Sequence, residues 1–383
     1  MKIIHVAPNA PYEEGWSYQE NLLPKYQAKL GHQVTLVVST ECHRDSGHCS
    51  SEDYQSPDGF RVVRKPITLS PIPFLRRTLR YLKIYDLLLE EKPDVIFHHG
   101  LISPTIRQAV RYKERVNPDC VIIQDNHMDY NIGFTTDHCK GRFLKFLYSR
   151  LYRSVDHAID KVYGVTPWRQ QYAQKIFGVP AHKTDVLIMG ADDDHLDFAH
   201  RDTLRSELRS KYGVTDEEFL IVTGGKIDKK KKIHLLMDAV KDLNNVKLLV
   251  CGAPTDDFTD EFAAHLNPNV IDAGWISSEQ FYGYFFAADL VFFPGQHSVL
   301  WEQACASKVP CVFGKWEGMD HVDNGGNARF LDCQEPEQLR NLIKQLQFTP
   351  DYQEMLTAAQ SDKTDIYLYS RIAEKSLECV TQK

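Results

Sequence analysis

Residues 290–313 read LVFFPGQHSVLWEQACASKVPCVF. An apolar run over 290–293 meets a Pro294-Gly295 turn, a helical pattern follows over about 298–308, and a second apolar run over 311–313 closes the stretch. Short apolar runs bounded by turn residues fit strands buried on both faces, and Ser298 is placed to cap the helix with its hydroxyl. A helix that starts just after a strand turns its unpaired N–H groups and positive dipole end into the crevice above the sheet, where an α/β protein holds phosphate. Glu302 lies one turn further in, among Leu300, Trp301, Ala304, Cys305 and Ala306. A carboxylate there reaches two neighbouring hydroxyls, such as those of a ribose; a core helix with a solvated glutamate is the competing reading.

The chain has 383 residues, which favours two domains of roughly 180 residues each. A hydrophobic content of 43% and a charged content of 25% are those of a protein with an ample core, and a net charge of -7 argues against a nucleic-acid binder. No apolar run approaches the ~18–20 residues that cross a bilayer. The opening MKIIHVAPNAP reads as a short strand stopped by Pro8 and Pro11, without the apolar core of a secretory leader. Nine scattered cysteines fit reduced thiols in a cytosol. Cys42, His43, His48 and Cys49 are zinc-ligand types, but they sit in a polar loop without the short cysteine spacing of a zinc site, so no metal is expected there.

From the N-terminus, strand patterns at 3–7, 34–39, 60–64, 95–98, 120–124 and 161–165 alternate with helical patterns at 17–30, 75–91, 104–115, 143–158 and 167–176. The loop after the first strand holds a single glycine, Gly15, and so is not the glycine-rich turn of a dinucleotide-binding dehydrogenase. Residues 186–194 read as a crossing. A second alternation follows, with strands at 219–223, 247–251 and 270–272 and helices at 234–243, 257–266 and 279–287, then the opening stretch and helices at 337–346 and 369–379. The expectation is an α/β protein with two doubly wound parallel-sheet domains facing a central cleft: 1–185, with a C-terminal helix within 366–383 packing back on it, and 186–365.

The second alternation opens with TGGKIDKKKKIHLL, residues 223–236. Lys226 and Lys229 to Lys232 bring ammonium groups to the strand end, which suits a diphosphate, although a lysine run is also a common solvated surface. The acidic run Asp192-Asp193-Asp194-His195 reads as a turn and helix start rather than a metal site.

The pattern G-K-I-D-x-K-K-K-x-x-L-L, with V-C-G, G-W-I, A-D-L-V-F-F-P and W-E-Q-A-C-A-S-K-V-P-C-V after it, resembles the retaining glycosyltransferases of family 4, which have the two-domain GT-B fold. The resemblance extends to L-G-H-Q-V-T-L-V, P-D-V-I-F-H-H-G and the Gly15 loop, and so to nearly the whole chain. It implies that Lys226 and Lys231 hold the donor's diphosphate and that Glu302 holds the ribose hydroxyls. Trp275 and Ile276 would lie in the segment that reads the base. Gly295, Gln296, His297, Ser298, Val299 and Leu300 would lie against the donor sugar and its phosphates, with Gly15 opposite. His127 resembles a histidine placed beside the transferred sugar, and His99 matches another first-domain position. The first glutamate of the family's E-x7-E motif is missing: Pro294 stands in its place, and the loop carries no carboxylate.

The resemblance therefore implies transfer of a sugar from a nucleoside diphosphate to an acceptor hydroxyl with retention, with no bound metal or other cofactor, in the synthesis of a surface glycan such as lipopolysaccharide, capsule or a related glycolipid. A nucleotide-sugar 2-epimerase of the same fold, or a non-catalytic partner that keeps the fold, are the alternatives. On the acceptor side, Arg76, Arg77 and Arg80 fall in one basic-aromatic segment, and Lys145 and Arg150 in a second, amphipathic one. Such segments suit an anionic membrane surface, so the expectation is a cytoplasmic protein attached peripherally to the inner face of the membrane, with a glycan or lipid-linked glycan as acceptor and no nucleic-acid partner.

Overall fold

The computed structural model describes residues 1–10, 12–41, 52–76, 78–130 and 139–381. The zinc-ligand types at 42–49 and Arg77 lie outside the described residues. The chain divides into two compact units, Met1–Ile188 with Tyr369–Lys383, and Met189–Leu368. Each is built on a twisted sheet with helices between successive strands, as the α/β pattern implies.

The first unit holds β1 (Lys2–Ala7), β2 (Gln33–Ser39), β3 (Asp53–Gln55), β4 (Arg61–Lys65), the short pair β5 (Thr68–Leu69) and β6 (Arg80–Tyr81), β7 (Val95–His98), β8 (Val121–Asn126), β9 (Lys161–Gly164) and β10 (Thr184–Val186). The main sheet runs β10-β9-β8-β7-β1-β2-β4-β3, parallel but for the antiparallel edge strand β3. Alternate side chains of the central strands feed two cores: Ile4, Val6, Val37, Ile96 and Ile122 enter one, and Ile3, Ala7, Leu36, Val38, Phe97 and Ile123 the other. The second core also takes Tyr369, Ile372, Ala373 and Leu377, which is why the chain returns to this unit at its C-terminus.

The second unit holds β11 (Phe219–Gly224), β12 (Val246–Cys251), β13 (Val270–Gly274), β14 (Leu290–Phe293), β15 (Cys311–Gly314) and β16 (Ala328–Leu331), ordered β13-β12-β11-β14-β15-β16 and parallel throughout. From β11 the chain winds outward through β12 and β13, then crosses back to start β14 on the other side. The switch point therefore lies between β11 and β14, where α/β sheets bind ligands. In the first unit the same reversal falls between β1 and β7.

The helix expected over 75–91 is broken in the structure. A 3-10 turn (Pro73–Leu75), β6 and a short helix (Tyr85–Glu91) replace it. Side chains of the next helix take the backbone donors instead: Leu82 N–H donates to Thr105 Oγ1 (3.0 Å), and Ile84 and Tyr85 N–H donate to Gln108 Oε1 (2.9 and 3.1 Å). Helices Arg201–Lys211 and Pro350–Ala359 and strand β16 have no counterpart in the sequence expectation.

Asp289 locks the two strands at the second switch point. Its Oδ2 accepts from Leu220 N–H in β11 (2.7 Å) and from Arg209 (3.2 Å), and its Oδ1 accepts from Arg205 (2.6 Å). The Arg209 side chain is 3% exposed, so removing its carboxylate partner leaves a charge in the interior. Asp289→Ala is expected to lower the unfolding free energy by about 3 kcal/mol in urea titrations. Arg205→Ala, at a more exposed partner, is expected to cost about 1 kcal/mol or less.

Candidate active site

The turns after β11 and β14 meet at the switch point. Gly295 is required there by close approach: a Cβ would lie 2.3 Å from Lys231 Cα and 2.4 Å from the Lys230 carbonyl oxygen. Gly225, at φ +97°, has Leu300 Cδ1 at 2.9 Å from where its Cβ would be. Asp228 caps the turn between them, its Oδ1 accepting from Lys230 N–H (2.9 Å) and Lys231 N–H (3.1 Å). This fold-back separates the lysines by role. Lys229 pairs with Glu261 at 3.3 Å, and Lys232 donates to the Cys333 carbonyl at 2.7 Å. Lys231 turns into the switch point, where its Nζ donates to the Gln296 carbonyl at 2.8 Å. Burial lowers the Lys231 pKa, against an opposing pull from Asp228. Lys226 is exposed and pairs with no described residue, and Trp275 is 75% exposed beside a buried Ile276.

The helix after β14 runs Leu300–Ala306, with Val299 at its N-cap and no side chain capping it. The expected Ser298 cap is therefore absent: the chain spends 296–299 turning past Lys230 before it coils, and Ser298 contributes its carbonyl, not its hydroxyl, to Trp301 N–H (3.0 Å). The N–H groups of Ser298 and Val299 find no acceptor among the described residues. Trp301 is fully buried and stacks on Phe313 of β15 at 4.4 Å, which fixes the helix on the sheet.

Glu302 is wholly buried, contrary to the reading of a solvated glutamate. Its Oε1 accepts from His297 Nε2 and His321 Nε2, both at 2.8 Å, while Oε2 has no hydrogen-bond partner among the described residues. Burial alone would raise this carboxyl's pKa; His297 and then His321 override it and hold it at about 2. The carboxylate is thus ionised, and each histidine presents an Nε2–H to it. His321 lies in the loop after β15, nineteen residues from Glu302, and no spacing rule could have picked it out.

In the first unit His127 follows β8, and His99 follows β7 at the switch point. Asp125, fully buried at the end of β8, accepts from Gly100 N–H at Oδ1 (2.8 Å) and from His99 Nδ1 at Oδ2 (2.7 Å). His127 Nε2 sits 3.3 Å from the same Oδ2, an ion-pair distance without hydrogen-bond alignment. Burial opposes the charging of His127, but the Asp125 carboxylate prevails and raises its pKa above the ordinary histidine value. Burial raises the Asp125 pKa as well, and His99 and His127 together bring it well below the usual carboxylate range.

Behind His99 the chain of contacts continues to His5 (Nδ1 to His99 Nε2, 3.1 Å) and Gln27 (Oε1 to His5 Nε2, 2.7 Å). Gln27 Nε2 donates to Ser376 Oγ (2.9 Å), whose own hydrogen goes to the Ala373 carbonyl (2.7 Å). That order fixes the Gln27 amide and puts a hydrogen on His5 Nε2. Burial, then His99, hold His5 neutral by lowering its pKa to about 3, which leaves its Nδ1 as an acceptor. Gly15 stands in the loop after β1 at φ +77°, next to Glu14, which accepts from the hydroxyls of Tyr12, Tyr54 and Ser56.

Among the described residues, two groups bring three possible metal-donor atoms within 4.8 Å of one another: Glu20, His99 and His127, and His297, Glu302 and His321. In both, the imidazoles already engage a buried carboxylate. Asp192 caps a 3-10 turn, Asp193–His195, through Asp194 N–H (3.2 Å). On the basic segments, Arg80 pairs with Glu41 and Arg76 is exposed. Lys145 and Arg150 lie on the helix Cys139–Arg153, which buries Tyr148, Leu151 and Tyr152 but leaves Phe143 and Phe146 exposed. Among the described residues, no helix is long and apolar enough to cross a membrane.

Residues 22–195 match the model of Glycosyltransferase Family 4, and residues 205–361 match that of Glycosyl transferases group 1. No curated protein matches the chain. Among solved structures, a glycosyltransferase from Rickettsia africae aligns over 100% of this chain and 99% of its own, at 15% identity and a TM-score of 0.71. The Anabaena protein HepE, crystallised with UDP, aligns over 100% of both chains at 15% identity and a TM-score of 0.70. A sucrose-phosphate synthase from Thermosynechococcus elongatus covers 100% and 98% at 15% identity and a TM-score of 0.68. At such identities the likeness is one of fold.

The lowered Glu302 pKa has a pH signature. A carboxyl at about 2 when folded and near 4.5 when unfolded stabilises the fold above pH 4.5, and that contribution is lost as pH falls towards 2. Its size is about 3 kcal/mol. In urea unfolding, the stability gap between wild type and Glu302→Gln is expected to be full at pH 5 and to close by about that amount towards pH 2. A gap that stays level would contradict the ionised, histidine-held carboxylate.

Proposed function

Because the chain belongs to glycosyltransferase family 4, we propose that it moves a sugar from a nucleoside-diphosphate sugar to an acceptor hydroxyl with retained anomeric configuration. The observation that carries this reading is the ionised Glu302, whose Oε2 lacks a partner, on the helix that leaves the switch point. A buried carboxylate oxygen without a hydrogen bond is costly, and two ribose hydroxyls would relieve it. Lys231, the exposed Lys226 and the N–H groups of Ser298 and Val299 would neutralise the diphosphate as it leaves, without a bound metal ion. Trp275 and Ile276 would lie at the base, and Gly295 to Leu300 along the phosphates and the sugar.

With no carboxylate in that loop, the sugar's hydroxyls would meet Gln296 and backbone groups. His127, held near Asp125, would stand by the transferred sugar, with Gly15 on the donor side of the first unit. The acceptor would be a surface glycan or its lipid-linked precursor, met at the cytoplasmic leaflet by the basic, aromatic side of the first unit. Support for that location comes from Phe143 and Phe146, which the fold leaves in solvent beside Lys145 and Arg150.

Calorimetric titration with a panel of nucleoside diphosphates, UDP first, tests the donor site. Lys231→Met is expected to weaken the best binder by about tenfold or more, as for loss of a charge-assisted contact. Release of nucleoside diphosphate from the matching sugar donor should continue in excess EDTA. Unchanged affinity in Lys231→Met, or activity that returns only with Mg²⁺ or Mn²⁺, would contradict this mechanism.

A further inference from the structure

The first unit carries a groove of about 960 Å³ along the helix Cys139–Arg153, separate from Asp125 and His127. Six cations line it: Arg107, Arg142, Lys145, Arg150, Arg153 and Lys175. Among the described residues no carboxylate lines it, and none of the six forms an ion pair. Several other basic side chains of this unit are neutralised, Arg61 by Asp53 and Glu91, Arg64 by Glu52, Lys113 by Asp160 and Arg169 by Asp129, while single ones such as Arg76 and Lys83 are not; the groove differs in gathering six unpaired cations around one hollow. Six like charges facing one hollow repel one another, and an anion placed among them would relieve that repulsion. Arg142 and Arg153 lie eleven residues apart on the helix, about 16 Å, room for more than one phosphate.

A second hollow, about 270 Å³, adjoins the groove and shares Arg107 and Arg150 with it. Its other walls are largely apolar, with Pro71, Leu79, Tyr81, Pro104, Leu147 and Leu151. Phe146, on the wall of the groove, is 63% exposed. A cation-lined channel that opens into an apolar one fits an amphiphile, with phosphate in the first and the start of a hydrocarbon chain in the second. A soluble phosphate would leave the apolar hollow and Phe146 in water. We propose that this bipartite groove is a binding site for a phosphate-bearing membrane lipid, with Arg107 and Arg150 gripping the phosphate at the junction. The proposal rests on the membrane-facing part of the functional reading above and adds the place and chemistry of the contact.

Flotation of the full chain with vesicles of phosphatidylcholine alone, and of phosphatidylcholine mixed with an equal amount of phosphatidylglycerol, tests it. Binding is expected to the mixed vesicles only. Arg107→Glu/Arg150→Glu should weaken it by about tenfold or more, whereas Lys241→Glu/Lys344→Glu, an equal change of charge at exposed sites of the other unit, should change it by less than about twofold. Phe146→Ser, at an exposed position that leaves the fold intact, should weaken it by about threefold. Equal losses from both charge pairs would overturn the site in favour of diffuse attraction. So would absence of binding, equal binding to neutral vesicles, or release of the protein from vesicles by inorganic pyrophosphate, which would make a soluble anion the occupant. UDP binding measured on the same samples separates the two readings: if it persists while vesicle binding fails, the groove proposal falls and the glycosyltransferase reading stands.

Discussion

The buried Glu302 carboxylate is the constraint on which the second unit's site depends. A charge with no solvent exposure has to be compensated where it stands, and His297 and His321 do this from the loops after β14 and β15. Holding both imidazoles on one oxygen fixes the loop at 295–299 against the helix that carries Glu302. The same loop comes so close to Lys231 that only glycine fits at 295, and Lys231 is thereby committed to the Gln296 carbonyl. Asp289 secures the strands beneath. The carboxylate, the lysine and the two N–H groups that lack an acceptor among the described residues are thus consequences of one packing arrangement.

The first unit uses the same elements to a different end. Asp125 is also a fully buried carboxylate, also beside two histidines and also near a switch point, but both of its oxygens are engaged, one by Gly100 N–H and the other by His99 and His127. With each oxygen already facing a donor or a histidine, Asp125 is tied to the protein's own groups and raises the pKa of His127 beside it. Glu302 keeps one oxygen without a hydrogen-bond partner among the described residues. Hydrogen-bond accounting therefore assigns the two acids different roles.

Much of this was legible from residue order. The strands at 95–98 and 290–293 coincide with β7 and β14, because short apolar runs between turn residues leave little freedom in their ends. Glu302 stands out because it follows a strand-turn-helix signal, whereas that signal marks the lysine run 229–232 as a whole and only the resemblance to family 4 singles out Lys231 within it. What could not be read depends on contacts between distant segments. Gln108 dissolves the helix expected over 75–91, and His321 and Asp125 acquire their meaning only through partners from other loops. The four-lysine run shows the limit most clearly: Lys229, Lys231 and Lys232 take three different environments, because Asp228 and Gly295 fold the chain back on itself.

The central claim is that the unpartnered oxygen of Glu302 receives ribose hydroxyls. It is tested most directly by a double-mutant cycle between protein and ligand: calorimetric affinities of wild type and Glu302→Gln for UDP and for its 2′,3′-dideoxy analogue. Wild type is expected to lose about tenfold or more on removal of the hydroxyls, and Glu302→Gln much less, a coupling of about 1.5–3 kcal/mol for hydrogen bonds to a charged group. Equal losses in the two proteins would mean that the hydroxyls and the carboxylate do not meet, and would contradict the account.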